Sequence, residues 1–165
     1  MNGHRQVVYQ TLHEVVTLIE GRFGVHPVVY GSLGVELALD KDYDAQDVDL
    51  LLNDEIVGGD QLPLLLRKAG YKRVAKPYLA FKKNGVEVEI AKQSYWKKEA
   101  GFQDENPLQV NRDATSYAVL DVKNLWRLYK YLTKYSLRSD TKRNRDQVKL
   151  LDLEKKIRKE TVITK

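Results

Sequence analysis

The chain has 165 residues, with 28 Lys and Arg, 23 Asp and Glu, and no cysteine. This length suits one domain, and 42% hydrophobic residues suffice for an ordinary core, which argues against a disordered chain. The lack of cysteine excludes disulfides, thiolate zinc sites and cysteine nucleophiles. Neither a signal peptide nor a membrane-spanning run is visible, so we expect a cytoplasmic protein without a membrane partner.

The first 40 residues predict a helix, a strand and a second helix. Apolar residues recur every three or four positions from Gln6 to Phe23, which is typical of an amphipathic helix that Gly24 ends. The β-branched run from Pro27 to Tyr30 predicts a buried strand. We expect Ser32 to cap a short helix from Leu33 to Leu39.

The middle of the chain predicts a strand, a helix and a hairpin. Asp47 to Leu52 alternates carboxylate and aliphatic residues and then becomes all leucine, as a largely buried strand does. Leu62 to Ala69 favours a short helix. The segments from Tyr78 to Phe81 and from Val86 to Ala91 flank Asn84-Gly85, which is a strong hairpin signal.

The last third of the chain is less regular at first and then helical. Residues 93 to 118 show no clear period. A helix is expected from about Val122, a polar turn from Ser136 to Asp140, and a last helix after it. The element order predicts an α/β or α+β fold, a small mixed β-sheet packed by helices. We expect a core over residues 1–118 and a basic helical segment over residues 119–165 packed on it.

The C-terminal segment carries most of the positive charge. From Asp121 to Lys165 there are 14 Lys and Arg and six Asp and Glu. Such a segment attracts a polyanion such as ATP or nucleic acid. The alternative is a solvated helical face, which is common in basic helices.

Asp47 and Asp49 are the first residues that indicate chemistry. In a strand their side chains leave the same face, about 6 to 7 Å apart at the backbone. Two neighbouring carboxylates repel each other, and a cation removes that repulsion. Oxygen ligands without His or Cys nearby select Mg²⁺ or Mn²⁺ rather than zinc. The alternative for an isolated pair is that one aspartate caps a helix or pairs with a lysine.

Two further features accompany this acidic pair. A strand that ends in Gly31-Ser32 precedes it, and glycine lets the backbone approach a phosphate at a helix N-terminus. A later strand carries Glu87 and Glu89, two positions apart and on one face. If that strand lies beside the first, one glutamate completes a three-carboxylate cluster.

These motifs resemble those of the polymerase-beta-type nucleotidyltransferase superfamily, and of its small bacterial members in particular. The residues that carry the resemblance are Val29-Tyr30-Gly31-Ser32, Asp47-Val48-Asp49-Leu50 and Val88-Glu89-Ile90. A looser match is Arg143-Asn144-Arg145-Asp146 in the tail. The sequence departs from the family pattern in a slightly long spacer from Leu33 to Gln46 and in a glutamate as the third acid.

The resemblance implies a Mg²⁺-dependent (or Mn²⁺-dependent) transfer of a nucleoside monophosphate from a nucleoside triphosphate, ATP first, to an acceptor hydroxyl. Asp47, Asp49 and Glu89 would bind the metal, and Glu89 (or Glu87) would act on the hydroxyl. Gly31 and Ser32 would bind the triphosphate. From the charge of the tail alone, and not from the resemblance, we expect Arg143, Arg145 or Lys149 to neutralise the leaving pyrophosphate if the tail folds over the site.

The acceptor stays open among a small molecule, a protein and an RNA. A second hypothesis is a catalytically inactive protein that keeps the fold and binds a ligand or a protein partner, as in toxin–antitoxin pairs. A third is a basic nucleic-acid-binding domain, although the aromatic residues lack the spacing of stacking motifs.

Overall fold

The computed structural model describes residues 2–103, 106–135 and 138–163. Part of the predicted turn from Ser136 to Asp140 therefore lies outside the described residues. The elements, in chain order, are α1 (Gly3–Phe23), β1 (Val28–Tyr30), α2 (Gly31–Leu39), β2 (Val48–Leu52), α3 (Asp54–Gly58), α4 (Gln61–Lys68), β3 (Lys72–Arg73), β4 (Leu79–Lys83), β5 (Val86–Lys92), α5 (Gln93–Ala100), β6 (Leu108–Arg112), β7 (Thr115–Val119), α6 (Val122–Tyr135) and α7 (Asp140–Ile163).

In the described part of the chain, seven strands form one mixed sheet in the order β3-β4-β5-β2-β1-β7-β6. The central strand β2 runs antiparallel to β1 and parallel to β5. The predicted hairpin around Asn84-Gly85 is confirmed as β4 and β5. The predicted α/β architecture, a mixed sheet packed by helices, is confirmed as well.

Helices cover both faces of the sheet and form two hydrophobic clusters. On one face α1 and α4 pack with buried residues such as Leu12 and Leu66. On the other face α6 and α7 contribute Leu125, Leu128 and Leu153. Alternate residues of β2 therefore face opposite cores, which explains why this strand is nearly all aliphatic.

Several boundaries follow from local chemistry. Asn2 caps α1, since its side chain accepts a hydrogen bond from the backbone of Arg5. Gly24 ends α1 in a left-handed conformation, as the sequence predicts. The stretch over residues 93–118 shows no period in the sequence, and its described part contains α5 and the strands β6 and β7, which pair as a hairpin. Residues 104 and 105 of this stretch lie outside the described residues. Across the described residues, no helix is long and apolar enough to cross a membrane.

Candidate functional site

The turn between β1 and α2 brings the backbone of Gly31 against the side chain of Asp49. Gly31 has a φ of +67°, which side-chain-bearing residues rarely adopt. A Cβ atom on Gly31 would lie 2.1 Å from Oδ2 of Asp49. The strand register explains the approach, because Tyr30 at the end of β1 pairs with Asp49 on β2. Glycine is therefore required here both for the turn and for the carboxylate beside it.

Helix α2 begins at Gly31, so the prediction that Ser32 is its N-cap is wrong. Tyr30 occupies the N-cap position, and its side chain makes no capping hydrogen bond to the helix. The backbone N–H groups of the first turn consequently remain available to an anion. Ser32 acts on Tyr129 of α6, since its side chain lowers the pKa of the Tyr129 hydroxyl against the larger effect of burial.

Asp49 and Glu89 form a carboxyl pair across two adjacent strands. The strands β2 and β5 are paired with Asp49 opposite Glu89, which confirms that the strand carrying the glutamates lies beside the aspartate strand. Burial raises the pKa of Asp49, and the charges of Glu89 and Asp47 add to the rise. Burial also raises the pKa of Glu89, helped by a hydrogen bond with Glu87. A hydrogen bond between the Asp49 and Glu89 carboxyl groups contributes to the raised pKa of Asp49.

Glu87 and Asp47 lie at the edge of this pair. Asp47 precedes β2, is exposed, and accepts a hydrogen bond from the backbone N–H of Glu87 at 3.1 Å. Glu87 pairs with Lys76, whose ammonium also lies 3.5 Å from Oε1 of Glu89. The Tyr78 hydroxyl donates to the same Glu89 oxygen at 3.1 Å. Of the two glutamates, Glu89 lines the cavity described below.

The carboxylates offer oxygen ligands, which suit Mg²⁺ or Mn²⁺. In residues 2–103, 106–135 and 138–163, no three His, Asp or Glu side chains stand close enough together to hold a metal ion. The crowded pair Asp49 and Glu89, with Asp47 beside it, is nevertheless a donor set whose repulsion a divalent cation relieves. The residue types fit such an ion, and the three-ligand site stays a prediction.

A cavity of about 800 Å³ opens over this carboxyl pair. Its lining comes from two groups of residues. We call the first the loop side; it is formed by Gly31, Ser32, Tyr129 and Arg138. We call the second the rim side; it is formed by Arg73, Tyr78, Lys92 and Tyr95. Asp49 and Glu89 also line the cavity and leave the same face of the sheet. The strand register places Arg73, opposite Phe81, and Lys92, opposite Leu52, on the other face.

Arg138 supplies the positive charge on the loop side. Its Nε atom lies 2.7 Å from Oδ2 of Asp146, a residue of α7 that is only 1% exposed. The guanidinium acts electrostatically on Asp49, since it lowers the pKa of that carboxyl against the effect of burial. Asp146 therefore holds a cation in place at the cavity.

The tail cations that the sequence singles out lie elsewhere. Arg143 and Arg145 are exposed residues of α7 and do not line the cavity. Lys149 is 4% exposed, with its Nζ atom 3.8 Å from Asp146 and 5.4 Å from the centre of the Tyr129 ring. Burial lowers the pKa of Lys149. Their contact with phosphate stays a prediction.

A buried glutamate supports the segment that leads to Asp47. The Glu36 carboxylate, on α2, accepts hydrogen bonds from the backbone N–H groups of Tyr43 and Ala45 at 2.9 and 3.0 Å. It also accepts from Arg5 and from the Tyr9 hydroxyl, each at 2.9 Å. These four bonds tie the α2–β2 connection to α1. Glu36 is therefore a structural residue that helps to place Asp47.

Sequence reasoning missed Arg138, Tyr129 and the aromatic residues of α5. Arg138 lies in the basic tail, but no spacing distinguishes it from the other cations there. Tyr129 follows Leu128 on the buried side of α6, where an aromatic residue is normally read as packing. The one available signal for Trp96 was its place shortly after the strand of Glu89.

No family model matches the chain. Among curated proteins, it is similar to the uncharacterized protein YnaI of Bacillus subtilis (strain 168). The two are 27% identical over 156 residues, which cover 92% of this chain and 98% of YnaI.

Solved structures resemble the chain in fold at low sequence identity. The crystal structure of ANT(2″)-Ia in complex with adenylyl-2″-tobramycin has a TM-score of 0.64 at 13% identity, over 94% of this chain and 92% of that one. An antigenic nucleotidyltransferase-like protein from Paracoccidioides brasiliensis has a TM-score of 0.65 at 16% identity, over 88% and 75% of the two chains. The chain therefore has the nucleotidyltransferase fold that its motifs implied.

Proposed function

We propose that the protein is a metal-dependent nucleotidyltransferase. It moves a nucleoside monophosphate from a nucleoside triphosphate, with ATP as the preferred donor, to a hydroxyl group of an acceptor. The observation that carries this proposal is the contact between the Gly31 turn and Asp49, which is itself paired with Glu89. The Gly31 turn, to which we assign phosphate binding, and the carboxyl pair line one cavity. The fold agrees, since one structural neighbour, ANT(2″)-Ia, was solved in complex with adenylyl-2″-tobramycin.

The loop side would bind the triphosphate. The free N–H groups at the start of α2 are donors for phosphate oxygens, and the helix dipole favours negative charge at that end. Arg138 adds a full positive charge, which Asp146 orients from behind. We therefore assign phosphate binding to Gly31, Ser32 and Arg138 ahead of the exposed arginines of α7.

The carboxylates would serve the metal and the acceptor. Asp47, Asp49 and Glu89 would hold Mg²⁺ or Mn²⁺. Such an ion, when bound, neutralises phosphate charge and lowers the pKa of the attacking hydroxyl. The burial that raises the pKa of Glu89 makes its carboxylate a better proton acceptor, which suits a residue facing that hydroxyl.

The reaction follows from this placement. The acceptor oxygen attacks the α-phosphorus in line, the bond to the bridging oxygen of the leaving group breaks, and pyrophosphate departs. Glu89 receives the hydroxyl proton. Arg138 and the α2 N-terminus hold the negative charge that develops on the departing phosphates.

The test is labelling with ATP that carries the label on its α-phosphate, in the presence of Mg²⁺ or Mn²⁺ and a small-molecule and RNA extract. Wild type is compared with Asp49→Asn, which keeps the shape of the side chain and removes its charge. We expect metal-dependent label transfer by wild type and a loss of about a thousandfold or more in the variant, as for residues that act directly in phosphoryl transfer.

Two other results are informative. Metal-dependent ATP binding without any transfer would favour the inactive, partner-binding protein over the enzyme. Absence of both binding and transfer in wild type would contradict the proposed function altogether, while the fold would be unaffected.

A further inference from the structure

A tyrosine of the rim side presents its hydroxyl group directly to the carboxyl pair. The Tyr78 hydroxyl donates a hydrogen bond to Oε1 of Glu89 at 3.1 Å. Strand alternation accounts for the contact, because Leu79 pairs with Ile90, and the residues on either side of Leu79 therefore share the face of Glu89. Tyr78, Glu89 and Asp49 consequently meet on one face of the sheet.

The surroundings of Tyr78 hold its ring at the edge of the cavity. Tyr78 directly precedes β4 and is 45% exposed. The Nζ atom of Lys76 lies 5.4 Å from the centre of the Tyr78 ring and 3.5 Å from Oε1 of Glu89. Lys76 therefore contacts both the ring and the carboxylate. Because the tyrosine is half exposed, a group added to its hydroxyl need not displace the hydrophobic core.

The other hydroxyl groups that line the cavity, within the described part of the chain, are placed differently. Tyr30 and Tyr129 are buried, so a nucleotide attached to either would have to enter the core. Ser32 lies in the turn to which we assign phosphate binding. Tyr95 is 51% exposed, but among the described residues no hydrogen bond joins its hydroxyl to the carboxyl pair. Tyr78 thus combines exposure with a contact to the pair.

A hydroxyl in this position has the contact that the proposed reaction requires of an acceptor. A general base must lie within about 2.6 to 3.2 Å of the hydroxyl oxygen whose proton it takes. The hydroxyl of Tyr78 lies 3.1 Å from Glu89, which we assign as that base. The Gly31 turn lines the same cavity. A nucleotide with its phosphates on that turn would place its α-phosphate beside the carboxyl pair, and hence beside this hydroxyl.

We propose that Tyr78 is a site of self-modification, at which the protein transfers a nucleoside monophosphate to its own side chain. The phenolic oxygen attacks the α-phosphorus of the nucleotide, the bond from that phosphorus to the bridging oxygen breaks, and pyrophosphate leaves with the electron pair. Glu89 takes the phenolic proton, and a phosphodiester then links Tyr78 to the nucleoside. This inference rests on the proposed nucleotidyl transfer, for which it names one acceptor hydroxyl.

The experiment incubates the full chain with ATP labelled on the α-phosphate and with Mg²⁺ or Mn²⁺, without any added acceptor. Mass spectrometry locates the label after tryptic digestion, because the peptide over residues 74–82 contains Tyr78 as its single hydroxyl-bearing residue. Tyr78→Phe is compared with Tyr95→Phe, which removes a hydroxyl from another exposed tyrosine of the cavity lining. Metal-dependent binding of a fluorescent ATP analogue is measured for each protein.

We expect an adenylyl group on the peptide of residues 74–82 in wild type and in Tyr95→Phe. Tyr78→Phe should lose this label, while its Kd for the ATP analogue stays within about threefold of wild type, a change no larger than the loss of one ordinary hydrogen bond. The labelling rate per chain should not change when the protein is diluted about tenfold, because the attacking group and its base belong to the same chain.

Three results would overturn the assignment of Tyr78. The first is label on another peptide that persists in Tyr78→Phe. The second is a labelling rate per chain that falls on dilution, which would indicate transfer between chains. The third is metal-dependent ATP binding by wild type while residues 74–82 stay unmodified. If wild type then labels an acceptor in the extract, nucleotidyl transfer stands and Tyr78 serves to orient Glu89. The proposed function itself fails in the absence of both ATP binding and transfer.

Discussion

The two sides of the cavity differ in how firmly the fold holds them. On the loop side Tyr129 is 2% exposed and Asp146 is 1% exposed, and Gly31 lies directly against Asp49. On the rim side Tyr78 and Tyr95 are about half exposed. Changes on the loop side should therefore affect stability and chemistry together. Changes on the rim side should leave the free energy of unfolding nearly unchanged, because these side chains are exposed.

The largest effect is expected at the carboxyl pair of Asp49 and Glu89. Glu89→Gln should lower the transfer rate about 10²- to 10⁴-fold, the usual range for loss of a general base. Glu87→Gln, which removes a residue outside the cavity lining, should stay within a few-fold of wild type. Label transfer by both variants under saturating ATP measures this difference. If both variants lost the same transfer rate, the assignment of the third acid to Glu89 rather than Glu87 would be wrong.

Gly31→Ala should show how tightly the loop side is packed. The added Cβ would meet the Asp49 carboxylate in a backbone conformation that alanine rarely adopts. Together these costs should lower the free energy of unfolding by roughly 2 to 4 kcal/mol. The matched control is Gly21→Ala, within α1, where a Cβ meets nothing within 4 Å. That change should be neutral or stabilising by up to about 1 kcal/mol. Urea unfolding followed by circular dichroism gives both values, and equal values would disprove the close contact.

Arg138→Gln tests which cation of the C-terminal segment serves the loop side. Loss of a charge-assisted contact should weaken ATP binding about 10- to 100-fold. Arg145→Gln, an exposed residue of α7 outside the cavity lining, should change it less than threefold, in line with a solvated charge. Titration with a fluorescent ATP analogue and Mg²⁺ provides the comparison. A larger effect at Arg145 would support the prediction from the sequence over the assignment to Arg138.

The smallest effect concerns the pH dependence of stability. The pKa of Asp49 is raised in the folded protein. As the pH rises above about 4, the ordinary carboxyl pKa, Asp49 therefore loses its proton more readily in the unfolded chain, and the free energy of unfolding falls. Without metal, Asp49→Asn should therefore be more stable than wild type at pH 7, by about 1.4 kcal/mol for each unit of the pKa difference. The advantage should vanish below about pH 3.5, where wild-type Asp49 is protonated in both states. Melting temperatures measured from pH 3 to 8 test the sign, and Mg²⁺ should stabilise wild type alone.

The end of the sheet that carries Gly31 and Asp49 could be predicted because its signals are local. A β-branched run ending in glycine, and an alternation of aspartate with aliphatic residues, specify a strand–turn–helix and a half-buried strand without reference to distant residues. Strand alternation could not choose between Glu87 and Glu89, because residues two apart share a face. The strand register sets Asp49 opposite Glu89, and for that reason we propose Glu89 rather than Glu87 as the third acid.

By itself, then, the sequence determined the order of the elements around Gly31-Ser32 and Asp47-Val48-Asp49, and hence the fold. Tertiary structure alone decided which charges and rings reach the cavity. Arg138 is placed by its pairing with Asp146, and Arg73 and Tyr95 come from separate parts of the chain. The physical reason is that periodicity and turn chemistry act over a few residues. The walls of a cavity, in contrast, depend on how distant segments pack.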